Sequence, residues 1–384
     1  RTPRGRRLLA GFTAAHFAHH VTNSLLNPLL PLIRDTFALS YAQSGFAVSA
    51  FSLSAGLSNA PLGVLADRVG PRPVIVAGLL LIGAVSAALA LAGAYWQLLV
   101  LLVAMGVVSG TYHAPAASLI ARAFPSRVRG AAMGVHITGG HLSFFAAPLV
   151  AASVVAATGT WRTPYLAFAL APIATGALLW YVAPRGHRPA HTDVLASFRA
   201  VGDVLRDVGP LVSLSVLFQF GFAALTAFLA LYLVDARGIA APVAAAMFGV
   251  PQLAGMIGAP LGGALSDRLG RPAVILIGLG ALGPATYAIT LVPNELILVP
   301  LLLVGVASAM RMTVTEVLVM DRAPAERRAT VLGAYYLLSQ EVGGLAAPAF
   351  GFLAVAIGIA GAFGSVALAL VALSALAVLV GRRL

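Results

Sequence analysis

Six histidines lie inside the long apolar stretches of this 384-residue chain: His16, His19, His20, His113, His136 and His141. An imidazole can donate or accept a hydrogen bond, shuttle a proton, or ligate a metal ion. His16, His20, Asn23 and Asn27 recur at i, i+4, i+7 and i+11, which on a helix makes one stripe, with His19 beside it. Tyr112 precedes His113, and His136 and His141 flank Gly139–Gly140, where a second backbone could approach closely. Asn59, Gln219 and Gln252 are softer polar candidates. Together with Arg311 these side chains suit a polar cavity that binds a small molecule. The plainer alternative is a set of interhelical hydrogen bonds that merely hold helices together.

The second half of the chain adds Arg311, Glu316, Gln340 and Glu341. Arg311 and Glu316 are five residues apart, about 140° around a helix, and are poorly placed to pair with each other. An Arg311–Glu341 pair is the natural expectation. A desolvated carboxylate beside an arginine is balanced between holding a proton and releasing it. Glu341 is therefore read as the leading proton-coupling residue and Glu316 as the second, against the alternative of a static ion pair. The chain has no cysteine, so there is no thiolate metal site, and only His16 and His20 have ligand spacing within one helix. No resident metal and no cofactor are expected.

The elements that must position these residues are membrane helices. The chain is 60% hydrophobic and 9% charged, against about 25% charged in soluble domains. Cutting at charged or Pro/Gly-rich breaks leaves twelve apolar segments, at 8–33, 43–65, 74–93, 97–122, 131–157, 164–182, 210–234, 243–265, 273–292, 296–320, 330–357 and 359–380. Many approach the roughly 20 residues a helix needs to span a bilayer, and lipid forbids unpaired backbone groups, so the segments are read as helices. The opening "RTPRGRRLLAGF" is read as the start of the first helix rather than a signal peptide. The polar stretch Pro184–Gly209 carries Arg and Asp at helical spacing, as an interfacial linker would.

There is no lysine, and twenty of the 24 cationic residues, all arginines, fall in the termini, the linker and alternate loops. Only Arg34, Arg162 and Arg237 fall on the other side, and Arg311 lies within a helix. The positive-inside bias puts both termini and the linker in the cytoplasm. The net charge of +12 is thus topology and attraction to anionic lipid, not a nucleic-acid footprint.

"GVLADRVGPRP" (Gly63–Pro73) returns as "GALSDRLGRP" (Gly263–Pro272), so that Gly63, Asp67, Arg68 and Gly70 align with Gly263, Asp267, Arg268 and Gly270. "RAFPSRVRGAAMG" and "AAPLVA" of the first half echo "RAPAERRATVLG" and "AAPAFG" of the second. Under this repeat Glu341 aligns with His141. Counting along each helix places His20, His113, His141, Arg311 and Glu341 near the bilayer midplane, where two-repeat transporters form their sites.

On these residues the chain resembles the major facilitator superfamily. The G-x-x-x-D-R-x-G-x-R turn reads Gly63, Asp67, Arg68, Gly70 and Arg72, and its second copy is one residue tighter, ending Gly270-Arg271. The N-terminal half resembles the fosmidomycin-resistance branch of exporters, through His16, "SLL", "LLPL", "YHAP" (Tyr112–Pro115) and "RGAA…GG…AP". It departs from that branch at His19-His20, where Asn-Asp is common, and at Ala116, where an acid is common. The helix 5 glycine-proline signature of drug/proton antiporters is also out of register.

The resemblance implies an all-α integral membrane protein of twelve transmembrane helices in two pseudo-symmetric six-helix bundles. The halves are 1–183 and 210–384, joined by a cytoplasmic linker, 184–209. Helices 3, 6, 9 and 12, which carry no Asp, Glu, Arg or His, are implied to be the lipid-facing set. Gly63, Asp67, Arg68, Gly70, Arg72, Asp267, Arg268 and Arg271 are implied gating residues, Asp67 meeting the N-terminus of helix 11; simple anchoring of helices at the membrane surface is the alternative. The substrate-binding set is His16, His20, Asn23, Asn27, Tyr112, His113, His136, His141, Gln219, Gln252 and Arg311.

The expected function is alternating-access secondary transport in the inner membrane, most of all proton-coupled export of amphipathic or anionic small molecules by a monomer. The alternatives are a metabolite importer or facilitator, a histidine-based carrier of a divalent metal, and a non-transporting membrane sensor. No soluble catalytic domain, phosphate loop or triad points to an enzyme.

Overall fold

The structure is a computed structural model that describes residues 3–124, 126–184, 194–322, 335 and 343–381. The side chain of Asp67, and Gln340 and Glu341 entirely, lie outside the described residues. Among the described residues the chain is helical, with no strand.

The helices are α1 (Pro3–Asn23), α2 (Leu26–Phe37), α3 (Tyr41–Val69), α4 (Pro71–Ala90), α5 (Tyr95–Ser109), α6 (His113–Ala123), α7 (Ser126–Thr158), α8 (Arg162–Phe168) and α9 (Leu170–Val182). They continue as α10 (Val194–Asp235), α11 (Ala241–Phe248), α12 (Val250–Leu269), α13 (Arg271–Leu291), α14 (Leu298–Arg322) and α15 (Gly343–Gly381). The later part of the linker belongs to α10 and runs unbroken into the seventh apolar segment.

Eight helical stretches among the described residues are long and apolar enough to cross a membrane. Several other expected spans are present but interrupted. The first is split at Ser24–Leu25 into α1 and α2, and the fourth at Gly110–Tyr112 into α5 and α6. Each break precedes a proline, Pro28 and Pro115, whose ring collides with the carbonyl four residues earlier and whose nitrogen cannot donate. At the second break Gly110, Thr111 and Tyr112 donate to Val107, Val108 and Ser109, the tighter i→i−3 pattern. The eleventh and twelfth segments meet within α15 at Gly358, whose φ of 77° turns the chain.

The chain forms two compact units. One comprises Arg1–Leu39, Phe46–His191 and Ala240–Gly249; the other comprises Ser40–Gly45, Thr192–Ile239 and Val250–Leu384. In the first, α1 packs on α7 and α9, and α4 packs on α9 and α5. In the second, α12 packs on α14, and α13 on α14 and α15. Gly70 (φ 102°) and Gly270 (φ 86°) both take positive φ ahead of α4 and α13, so the repeated turn has the same backbone in each unit.

The arginines that stand against the charge bias are explained by their contacts. Arg162 donates to the Ala90 carbonyl at the end of α4 (2.8 Å) and lies 4.7 Å over the Trp161 ring. Arg237 donates to the Ile289 carbonyl (3.1 Å) and to Val292 at the end of α13, and its Nε reaches Asn294 Oδ1 at 2.9 Å. Each guanidinium satisfies carbonyls left over at a helix C-terminus, where a cation is also favoured by the helix dipole. Arg34 pairs with its neighbour Asp35 at 2.7 Å.

Candidate functional site

The imidazoles gather in the first unit because α1 sits against α7. Gly139 and Gly140 allow that approach, as their spacing suggested: a Cβ on Gly139 would lie 2.2 Å from the Thr13 carbonyl, and one on Gly140 would lie 2.7 Å from the His16 ring. His16 Nδ1 donates to the His136 carbonyl at 3.0 Å, and the two rings stack with centroids 4.3 Å apart. His136 Nδ1 donates to the Phe12 carbonyl at 3.1 Å, and the Tyr112 hydroxyl donates to the same oxygen at 3.0 Å. Tyr112, with 0% of its surface exposed, stacks on His16 (5.5 Å) and His19 (4.8 Å). It is therefore an anchor between helices more than a contact for cargo.

His19 belongs to the site more firmly than its place beside the stripe suggested. It is fully buried, and its Nε2 donates to the Ser109 carbonyl at 3.0 Å, just before the α5–α6 break. Asn23 donates to Ser109 Oγ at 3.0 Å. No sequence signal marks Ser109; its role depends on the break that leaves its carbonyl turned towards α1. The stripe itself needs correction: it is continuous only from His16 to Asn23, because the interruption at Ser24–Leu25 puts Asn27 on α2.

His16, His20 and His113 each present a ring nitrogen within 4.8 Å of the others. Their ring centroids are 4.9 Å (His16–His20), 5.4 Å (His16–His113) and 5.0 Å (His20–His113) apart. Phe144 closes one side of His20 at 4.6 Å. His141 is exposed and stands outside this trio. The apolar segments of the first half contain no acidic residue, so the cluster has no carboxylate partner there.

In the second unit Arg311 is 1% exposed. Its Nη2 donates to Gln219 Oε1 at 2.6 Å and its Nη1 to the Ser215 carbonyl at 3.5 Å. Gln219 is thus brought to Arg311 across α10 and α14, while the expected Arg311–Glu341 pair lies outside the described residues. Among the described residues the Nε of Arg311 is buried without a hydrogen-bond partner. Glu316 and Gln252 are half-buried, on α14 and α12.

In each repeated turn the described arginine makes side-chain contacts. Arg271 Nη1 bonds Asp267 Oδ1 at 2.6 Å, and its Nε reaches Asp321 at 3.4 Å, tying the turn to the end of α14. Arg72 donates to the Trp180 carbonyl, with its guanidinium 4.3 Å over the indole. Arg68 and Arg268 are exposed. A separate groove of about 780 Å³ between α1, α7 and α9 is lined by Leu9, Phe17, Leu142 and Ala174 among others. It is open and apolar and holds none of the histidines, as a lipid-contacting furrow would.

Helices interrupted beside buried polar clusters, two repeats and a twice-written charged turn define a membrane transporter rather than an enzyme. The chain belongs to the Major Facilitator Superfamily, whose profile matches residues 12–348. It is 24% identical to the fosmidomycin resistance protein of Escherichia coli, over 90% of this chain and 86% of that protein. It is 26% identical to a probable sulfoacetate transporter of Cupriavidus necator, over 74% of this chain and 73% of that one. It is 27% identical to a multidrug resistance protein of Proteus mirabilis, over 85% and 84%. Among solved structures, an inward-facing bacterial homologue of the human lysosomal transporter Spinster superposes with a TM-score of 0.82. That match has 19% identity and covers 100% of this chain and 98% of that one. The fold is the major facilitator fold.

Proposed function

We propose that the chain is a proton-coupled exporter of anionic or amphipathic small molecules, working by alternating access between halves 1–183 and 210–384. The observation that carries the anionic preference is Arg311: a buried guanidinium whose hydrogen-bond partners among the described residues are neutral, Gln219 and the Ser215 carbonyl. A desolvated cation with an N–H that has no partner among the described residues is suited to receive an oxyanion. Relatives named for sulfoacetate, hexuronate and nitrate carry anions by name, and two others are named for drug resistance. Both termini are placed in the cytoplasm, on the inner face of the plasma membrane. Asp67 is assigned the cytoplasmic latch, with Asp267 as its weaker counterpart. His16, His20, Asn23, His113 and His141 line the cargo path of the first half, and Glu341 carries the proton, with Glu316 as the second candidate.

The test is flux in proteoliposomes with an imposed pH gradient, screened over organic anions and drugs. An Arg311→Gln variant is expected to lose anion-dependent thermal stabilisation and flux. Unchanged anion flux in that variant would remove the assignment.

A further inference from the structure

The histidine trio has the geometry of a ligand set. His16 gives its Nδ1 proton to the His136 carbonyl, so the neutral ring presents its Nε2 lone pair, and that atom is buried with no hydrogen-bond partner among the described residues. Metal-binding histidines are oriented in this way, one nitrogen fixed on a carbonyl and the other free for the ion. His20 lies one helical turn further on the same face of α1. His113 opens α6 immediately after the break forced by Pro115.

We propose that His16, His20 and His113 form a binding site for a divalent transition-metal ion of the zinc, cobalt and nickel class. Imidazole suits these ions, and three protein nitrogens leave one tetrahedral position open. Nitrogens at about 2.0 Å from such an ion stand about 3.3 Å apart, so the rings draw inward from their present separation of up to 4.8 Å. The apolar segments of the same half supply no carboxylate to offset the dication. The open position therefore suits an anion, and metal and anionic cargo would bind in one another's company. Metal binding does not depend on export or proton coupling, because it needs neither a gradient nor a second conformation.

The experiment uses the full chain purified without a histidine tag, with His187→Ala and His191→Ala removing the two histidines outside the apolar segments. Titration with Co2+ at pH 7.5 is expected to give one equivalent with the visible absorption of a low-coordinate, nitrogen-rich site, displaced by Zn2+. Affinity falls as pH is lowered, because protons compete for the ligand nitrogens. His16→Gln, His20→Gln and His113→Gln should each weaken binding at least about tenfold, the scale set by losing even an outer-sphere partner. X-ray absorption of the Co2+-loaded protein should count three imidazoles, a readout that requires none of the three ligand variants to fold. Absent Co2+ uptake, fewer than three imidazoles, or undiminished uptake in all three variants would overturn the site. Those results would leave the transport assignment standing, and failed flux would leave the metal site standing.

Discussion

His16 and His136 are joined twice: Nδ1 of the first donates to the carbonyl of the second at 3.0 Å, and their rings stack 4.3 Å apart. One contact fixes which His16 nitrogen is free, and the other fixes where it points. The pair works only because α7 carries no side chain at Gly139 and Gly140.

Adding a methyl group there should separate the helices. A Cβ at Gly139 meets backbone at 2.2 Å, which cannot swing aside, whereas one at Gly63 meets nothing within 4 Å among the described residues. Gly139→Ala is expected to cost about 1–3 kcal/mol by overpacking, and Gly63→Ala to be neutral or slightly stabilising as a helical Gly→Ala change. Thermal melting of the two variants in one detergent separates them. Equal melting temperatures would contradict the α1–α7 approach.

The guanidinium caps make a second prediction. Arg162→Ala and Arg237→Ala each strand helix-end carbonyls, with an expected loss of about 1–3 kcal/mol. Hydrogen exchange should rise in the last turns of α4 and α13. Arg68→Ala, an exposed arginine, should leave melting within about 0.5 kcal/mol.

Gly70 and Gly270 should behave alike. Both hold positive φ with extended ψ, a region that costs a residue with a Cβ about 1–3 kcal/mol. Gly70→Ala and Gly270→Ala should therefore lower stability by similar amounts. A loss confined to one copy would show that the repeated turns do not share a backbone role.

Proton coupling is tested at Glu341. Glu341→Gln keeps the shape of the side chain but cannot release a proton, so uptake driven by a pH gradient should vanish while substrate exchange across the membrane persists. Intact pH-driven transport in that variant would move the role to Glu316 or remove it.

The sequence by itself carried the architecture. Hydropathy marks the spans because lipid leaves backbone groups no partner but the helix, and the repeated turns at Gly70 and Gly270 reveal two halves because a tight reversal needs glycine at the same register. The breaks at Ser24–Leu25 and Gly110–Tyr112 were not legible, because Pro61, Pro148, Pro260 and Pro284 sit inside helices that continue past them. What spacing along one helix cannot tell is which other helix faces it. His16 and His20 were legible as one face of α1, yet His113 joins them, His19 finds Ser109, and Gln219 reaches Arg311 only through tertiary packing. The reason is range: periodicity orders a few residues on one axis, whereas a site drawn from α1, α6 and α7 depends on close approaches set by glycines and bends a hundred residues away.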